Sequence, residues 1–307
     1  NADAISLWEF TDTATVGTAG SAGSNGDPEL GYTFSRPAIG KVQTDTSIYK
    51  WVAVFGNGYN ATEADGSAST TGKPYLYIVD LETGLLLKRI MLSYNSDTDS
   101  TSSPNGLSSP ELADINGDYV MDYAYAGDLK GNLWKIDLRT STSNWASAFG
   151  SESTPKPLFK AATGQPISTQ PVVGPHVNAG GMMVYFGTGK YLEENDNKQT
   201  GQTTQSFYAV WDDLSNTAPL DSSNLQSQTI GNQSYFTVAG KQYETRQISR
   251  NTVNWSTKRG WYINFIFGAS SNYGELMAVK PVLRGGRIIF VTWVPGVGAC
   301  QTEGSSW

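Results

Sequence analysis

The run SPELADINGDYVMDYAYAGDLKGNLWKIDL, Ser109 to Leu138, lays out one structural unit from end to end. A proline-led apolar segment at Pro110 meets an acidic turn. An aromatic segment from Tyr123 then stops at Gly127, and a third segment from Gly131 ends at Asp137. Short alternating runs bounded by Pro, Gly and Asp are the grammar of β-strands. The unit recurs. YLYIVDLETG from Tyr75, GNLWKIDLRT from Gly131 and SFYAVWDD from Ser206 each run into an acid, at Asp80, Asp137 and Asp212. Each follows a strand that stops at glycine, WVAVFGNG from Trp51, YAYAGDLKG from Tyr123 and MVYFGTG from Met183. Before these stand strands led by Pro37, Pro110 and Pro171, and a fourth copy opens at Pro281 in KPVLRGGRIIFVTW.

Sets of three or four short strands that recur with the aromatic and the Asp turn in fixed places point to β-propeller blades, not to a sandwich. The leading prolines lie 73, 61 and 110 residues apart, which fits a shared unit with loop insertions of variable length. The expectation is an all-β chain forming a single propeller domain over residues 1–307, with about four blades. ISLWEFTD from Ile5 reads as the closing strand of a partial blade at 1–12, and further blades start near 37, 110, 171 and 281. Neither end has terminus-like composition, so the chain reads as an excised fragment. One or two short helices are expected after Asp212. The Ser/Thr/Gly tracts Thr11–Gly26, Ala61–Gly72 and Tyr94–Ser103 are expected to be mobile surface loops.

Composition restricts the chemistry. A formal charge of −7 and a pI near 4.8, with no Lys/Arg stripe, oppose nucleic-acid or anionic-membrane binding. His176 and Cys300 are the only residues of their types, so the usual zinc sites cannot be assembled. Cys300 reads equally as a residue parted from a disulfide partner or as a buried thiol. The longest apolar candidate, IIFVTWVPG from Ile288, is too short to cross a bilayer.

Three carboxylates crowd into DINGDYVMD, Asp114 to Asp122. Counting Asp114 as position 1, oxygen donors fall at Asp114, Asn116, Asp118 and Asp122, with the Val120 carbonyl free to serve at position 7. Calcium takes six to eight hard oxygen ligands, and alternate side chains of a tight loop can turn toward one centre. Position 6 is Tyr119 where an EF-hand has Gly, and position 12 is Tyr125 where it has Glu, so this is an EF-hand-like loop between strands. An acidic surface turn is the plainer alternative, but turn chemistry needs only one or two of these residues.

SPELADINGDYVMDYAYAGDLKGNLWKIDL, with FGNGYN from Phe55, YLYIVDLETG from Tyr75, GTGKYLE from Gly187, QSFYAVWDD from Gln205 and KPVLRGGRIIF from Lys280, resembles the C-terminal β-propeller of the PilY/PilC family of type IV pilus-associated adhesin and biogenesis proteins. That resemblance implies a modified propeller with quinoprotein-like blades. It also implies a surface calcium loop, here Asp114, Asn116, Asp118, Val120 and Asp122, that controls pilus extension against retraction. The implied partners are calcium, pilins or the pilus machinery and a host cell-surface receptor. The implied location is the pilus or outer membrane of a Gram-negative bacterium. No Arg-Gly-Asp motif is present.

Two other classes stay open. DLETG at Asp80 resembles the repeat of pyrroloquinoline quinone dehydrogenases, yet no central set of catalytic groups can be located, so the expectation is no enzyme and no catalytic residue. A purely structural, calcium-stapled binding propeller is the other. Among lesser features, Asp196 with Asn197, and Asp65, could hold a second ion but lack alternation. Asp80, Asp137 and Asp212 read as turn caps, the nine Trp as packing in preference to a sugar-stacking platform, and His176 as structural. GTGKY at Gly187 lacks the spacing of a phosphate-binding loop.

Overall fold

The computed structural model describes residues 7–59, 62, 68–94, 97–199, 201–215, 219–267, 273–296 and 304–307. They form an all-β structure. Its only helical elements among the described residues are single 3₁₀ turns at Thr142–Asn144, Glu194–Asn197 and Ser222–Asn224. The last of these is the helical turn expected after Asp212. No helix among the described residues is long and apolar enough to cross a membrane.

Two compact units hold the strands. In the first, β1 (Ala38–Asp45), β2 (Ile48–Gly56), β3 (Tyr75–Asp80) and β4 (Leu86–Met91) form an antiparallel sheet in chain order. β5 (Glu111–Ala113), β6 (Tyr123–Gly127) and β7 (Asn132–Asp137) repeat that order. Two short strands, β8 (Ala146–Ser147) and β11 (Phe159–Lys160), then pair with β7, and between them β9 (Phe149–Gly150) pairs with β10 (Pro155–Lys156).

Every residue of β3 is buried, which needs cover on both faces of the sheet. One face of this first sheet, through Val42, Val52, Val54, Leu76 and Ile78, shares a core with Ala124, Ala126, Trp134 and Ile136 of the second. On the other face Ala53, Phe55, Tyr77 and Val79 pack with Leu30, Trp8 and Phe10. Burying both faces of a flat sheet between neighbours is how propeller blades cohere.

The second unit holds β12 (Val172–Pro175), β13 (Met182–Gly187), β14 (Ser206–Asp212), β15 (Gln226–Val238), β16 (Lys241–Ile248) and β17 (Gly260–Phe267) in one sheet. Their spatial order is β12-β13-β14-β17-β15-β16, with β15 parallel to β17. The four-stranded unit is therefore completed by β17, after an inserted hairpin of β15 and β16. That insertion accounts for the long interval between Pro171 and Pro281. β18 (Val282–Arg284) pairs with β19 (Arg287–Ile289), and β20 (Trp293–Val294) with β21 (Ser305–Ser306).

Glycine ends β2 and β13 for a steric reason. A Cβ on Gly56 would collide with the Leu107 carbonyl, and one on Gly187 with the Met277 sulfur. The loop at Thr11–Gly26, expected to be mobile, is instead held by its own polar groups. Asn25 Oδ1 accepts from the amides of Thr15 and Val16, and Thr11 and Gly26 form a bridge. In the Tyr94–Ser103 stretch, Asp97 and Asp99 pair with Lys160 at 2.7 Å and Lys130 at 2.9 Å, which fixes the described part of that loop too.

Candidate metal centre

β5 and β6 pair with Ala113 opposite Tyr123, so Asp114–Asp122 is the whole connection between adjacent strands. Gly117 and Tyr119 turn it back with φ of +81° and +65°. Tyr119 is 83% exposed, so packing does not impose this left-handed conformation on it. The Asp114 carboxylate does. Its Oδ2 accepts from Tyr119 N at 2.7 Å while Oδ1 accepts from Gly117 N at 2.7 Å and Asn116 N at 3.2 Å. Asn116 Oδ1 in turn accepts from Asp118 N at 2.9 Å, and Asp118 Oδ1 from Val120 N at 2.8 Å. The loop is a chain of Asx turns, each oxygen reaching the amide two residues on.

Burial alone would raise the Asp114 pKa, but the amides of Gly117, Tyr119 and Asn116 outweigh it and hold the carboxyl below its ordinary value. Asp122 behaves in the opposite way. It is buried, and that desolvation pushes its pKa up, with the charges of Asp118 and Asp114 adding to the rise against one hydrogen bond from Ile115 N at 2.8 Å. Arg139, whose charge reaches Asp122, is engaged by Asp137 through two hydrogen bonds of 3.0 and 2.6 Å. An all-oxygen donor set with no cation of its own suits a hard divalent ion. As folded here the acids lie along the loop. Asp114, Asn116 and Asp118 form one hydrogen-bonded set, Asp122 instead accepts from Ile115 N, and no three His, Cys, Asp or Glu among the described residues converge as a metal cage.

The loop is also tied to the neighbouring sheet, which its own spacing does not reveal. Met121 N donates to the Lys41 carbonyl of β1 at 2.8 Å. A Cβ on Gly40 would lie only 2.7 Å from Leu112 Cδ1 and from Met121 Cγ, so β1 rests directly on the loop's hydrophobic root.

The other sequence candidates find plain roles. Asp80, Asp137 and Asp212 each accept from the backbone amide two residues on, at Glu82, Arg139 and Leu214. Asp196 caps Leu192 N and Glu193 N and lies 3.4 Å from Lys190, so its charge is already met. Asp65 and Cys300 lie outside the described residues. His176 sits between Trp211 and Trp255, its Nδ1 accepting from Asn178 N and Ala179 N, and burial lowers its pKa. Trp134 and Trp145 are fully buried, whereas Trp51 is 59% exposed. Sequence reasoning passed over Asp128, a fully buried carboxylate that accepts from Trp134 Nε1 at 2.9 Å and Asn132 Nδ2 at 2.6 Å. Its signal was the spacing of Asp128, Asn132 and Trp134 at the turn between β6 and β7.

Comparison with known proteins agrees with this architecture. The family model of the PilY1 beta-propeller domain matches residues 1–242. The type IV pilus biogenesis factor PilY1 of Pseudomonas aeruginosa is 34% identical over 328 residues, covering 97% of this chain and 27% of that protein. A PilY1 homolog of Xylella fastidiosa is 34% identical over 299 residues, covering 92% of this chain and 19% of that protein. The chain thus spans about a quarter or less of these curated relatives. The crystal structure of the Pseudomonas aeruginosa PilY1 C-terminal domain matches with a TM-score of 0.74 at 32% identity, over 87% of this chain and 57% of that one. With its repeated proline-led, glycine-ended and Asp-ended strands, the chain belongs to the PilY1 β-propeller domain family.

Proposed function

We propose that this domain serves type IV pilus biogenesis at the cell surface as a calcium-responsive element, not as an enzyme. The residues that would hold the ion are Asp114, Asn116, Asp118 and Asp122 with the Val120 carbonyl. Filling the loop neutralises its three carboxylates and draws Asp122 toward the Asp114 set. Because Met121 hydrogen-bonds Lys41 of β1, a change in the loop bears on the adjacent sheet. Regulation of pilus extension against retraction then follows from a difference in affinity of a pilin or pilus-machinery partner for the two loop states. Surface adhesion to a host receptor belongs to the same reading. The observation that carries it is the alternation of oxygen donors in a strand-to-strand loop whose one buried acid, Asp122, is raised in pKa by desolvation first and then by the charges of Asp118 and Asp114.

Calorimetric titration of the chain with calcium tests the site, with one ion bound per chain expected and none in Asp122→Ala. Counting surface pili in a strain carrying Asp122→Ala or Asp122→Lys tests the regulation. No calcium heat in the wild-type chain removes the site; calcium binding with unaltered pilus retraction in both variants removes the regulatory role and leaves a structural staple.

A further inference from the structure

The second unit holds a cavity whose chemistry is unlike that of the acidic loop. It has a volume of about 330 Å³, in the size range of a small-molecule site, and lies on a face shared by β14 and β17. No Asp, Glu, Lys, Arg or His lines it. Its polar wall is made of tyrosine, amide and hydroxyl side chains.

Strand register places these groups together. Tyr208 of β14 stands opposite Tyr262 of β17, and Ser206 opposite Asn264 two residues along, so all four side chains share one face. The two tyrosine rings stack with centroids 5.8 Å apart, and Phe186 of β13 stacks on Tyr208 at 5.4 Å. Tyr208 is buried, whereas Tyr262 is only half-buried where it lines the cavity. A chain of hydrogen bonds then orients the amide beside it. Tyr208 Oη donates to Gln165 Oε1 at 2.5 Å, Gln165 Nε2 donates to Ser206 Oγ at 2.8 Å, and Ser206 Oγ donates to Asn264 Oδ1 at 2.8 Å. With its oxygen so held, Asn264 keeps two Nδ2 donors that no group among the described residues accepts. Thr203, which is exposed, and Ser222 add hydroxyls. Thr203 also lines a smaller cavity of about 80 Å³, whose only charged residues, Lys190 and Asp196, lie 3.4 Å apart. There Gln205 Oε1 is a buried acceptor with no hydrogen-bond partner, while its Nε2 donates to the Gly164 and Thr203 carbonyls.

We infer that this cavity binds a neutral saccharide, with a pyranose ring against Tyr262 and its hydroxyls on Asn264, Thr203 and Ser222. A pyranose joins a face of C–H groups to a rim of hydroxyls that both donate and accept. The tyrosine ring takes the first, and the amide and hydroxyl side chains take the second. A carboxylate or ammonium ligand would be desolvated here with no counter-charge, which costs far more than burying a hydrogen-bonded neutral group. A purely apolar ligand would leave the Asn264 donors unsatisfied. A ligand that passes Thr203 also reaches the cavity of the Gln205 acceptor, so a disaccharide suits the pair of cavities better than a single ring.

Saturation-transfer NMR with the full 307-residue chain tests the site, with cellobiose, maltose and lactose as probes. At least one of the three is expected to bind saturably, with a Kd on the order of 1 mM that added salt does not change. Its affinity is expected to fall at least about tenfold in Tyr262→Ala and in Asn264→Ala, and to stay within about threefold of wild type in Tyr262→Phe, which keeps the ring. Thr203→Val, at an exposed position where folding is not at stake, is expected to weaken binding about threefold. Native circular dichroism is required of every variant. Absence of saturable binding by all three sugars, wild-type affinity in a folded Tyr262→Ala or Asn264→Ala chain, or affinity that falls with added salt overturns the site. Should both alanine variants misfold, wild-type affinity in Thr203→Val overturns it.

Discussion

Asp128 shows how one side chain both organises the second sheet and opposes its stability. Its carboxylate is wholly buried, and desolvation pushes its pKa up to about 6 even though Asn132 and Trp134 donate to it. The unfolded carboxyl titrates near 3.8. The native state therefore takes up the proton first. The stabilising contribution of this group is complete below pH 4 and is lost as pH rises through about 6, a swing on the order of 3 kcal/mol. Asp128→Asn removes that titration and turns an amide N–H₂ toward groups that are already donors. It is expected to destabilise at pH 7 by roughly 2 kcal/mol. The gap to wild type is expected to widen as pH falls from 7 to 5. Urea melts of both proteins at the two pH values measure it, and a gap that stays constant or narrows contradicts the assignment of this proton to Asp128.

Strand ends and turns are where sequence signals and structure agree most closely, and the agreement has a steric origin. Gly56 is glycine because the Leu107 carbonyl occupies the space of a Cβ. Backbone cannot swing aside, so Gly56→Ala is expected to cost at least about 2 kcal/mol in denaturant unfolding, well beyond the effect of an exposed substitution. The strand sets were legible because Tyr75–Asp80, Asn132–Asp137 and Ser206–Asp212 must be apolar on both faces and then turn at an Asp. The β15–β16 hairpin was not. Its strands are exposed on both sides over residues 234–238 and 241–244, so residues such as Ser234, Tyr235, Phe236 and Thr237 carry no inside-outside alternation. Its turn is also mis-signalled. Ala239 and Gly240 both have positive φ, +49° and +77°, the pattern of a primed hairpin turn in which Asn or Gly is usual at the first position. Ala239→Gly relieves a left-handed alanine and is expected to protect the hairpin amides from hydrogen exchange by about fivefold or more, equivalent to roughly 1 kcal/mol. Unchanged exchange there shows that the turn does not limit opening of the arm.

For the molecule as a whole, two compact units mean two cores, and a ligand bound in one of them acts first on that unit. The oxygen positions of the loop could be read from every second residue, because that spacing is local. The Met121–Lys41 bond could not, because it depends on β1 lying against the loop, a contact between residues far apart in sequence. That bond is the contact through which a change in the loop would reach the β1–β4 sheet. Calcium at 100 times its dissociation constant is expected to stabilise the unit that holds the loop by about 2.7 kcal/mol. Amides of β2, β3 and β6 that exchange only by global opening of that unit should then slow by about 100-fold. Asp122→Ala should abolish the slowing without changing the calcium-free rates by a comparable factor, because Asp122 contributes a single backbone cap at Ile115 when no ion is bound. Hydrogen exchange with and without chelator decides it. Slowing confined to the loop amides, with β2 and β3 unaffected, means that the ion orders only its own turn and that the path through Met121 to Lys41 transmits nothing.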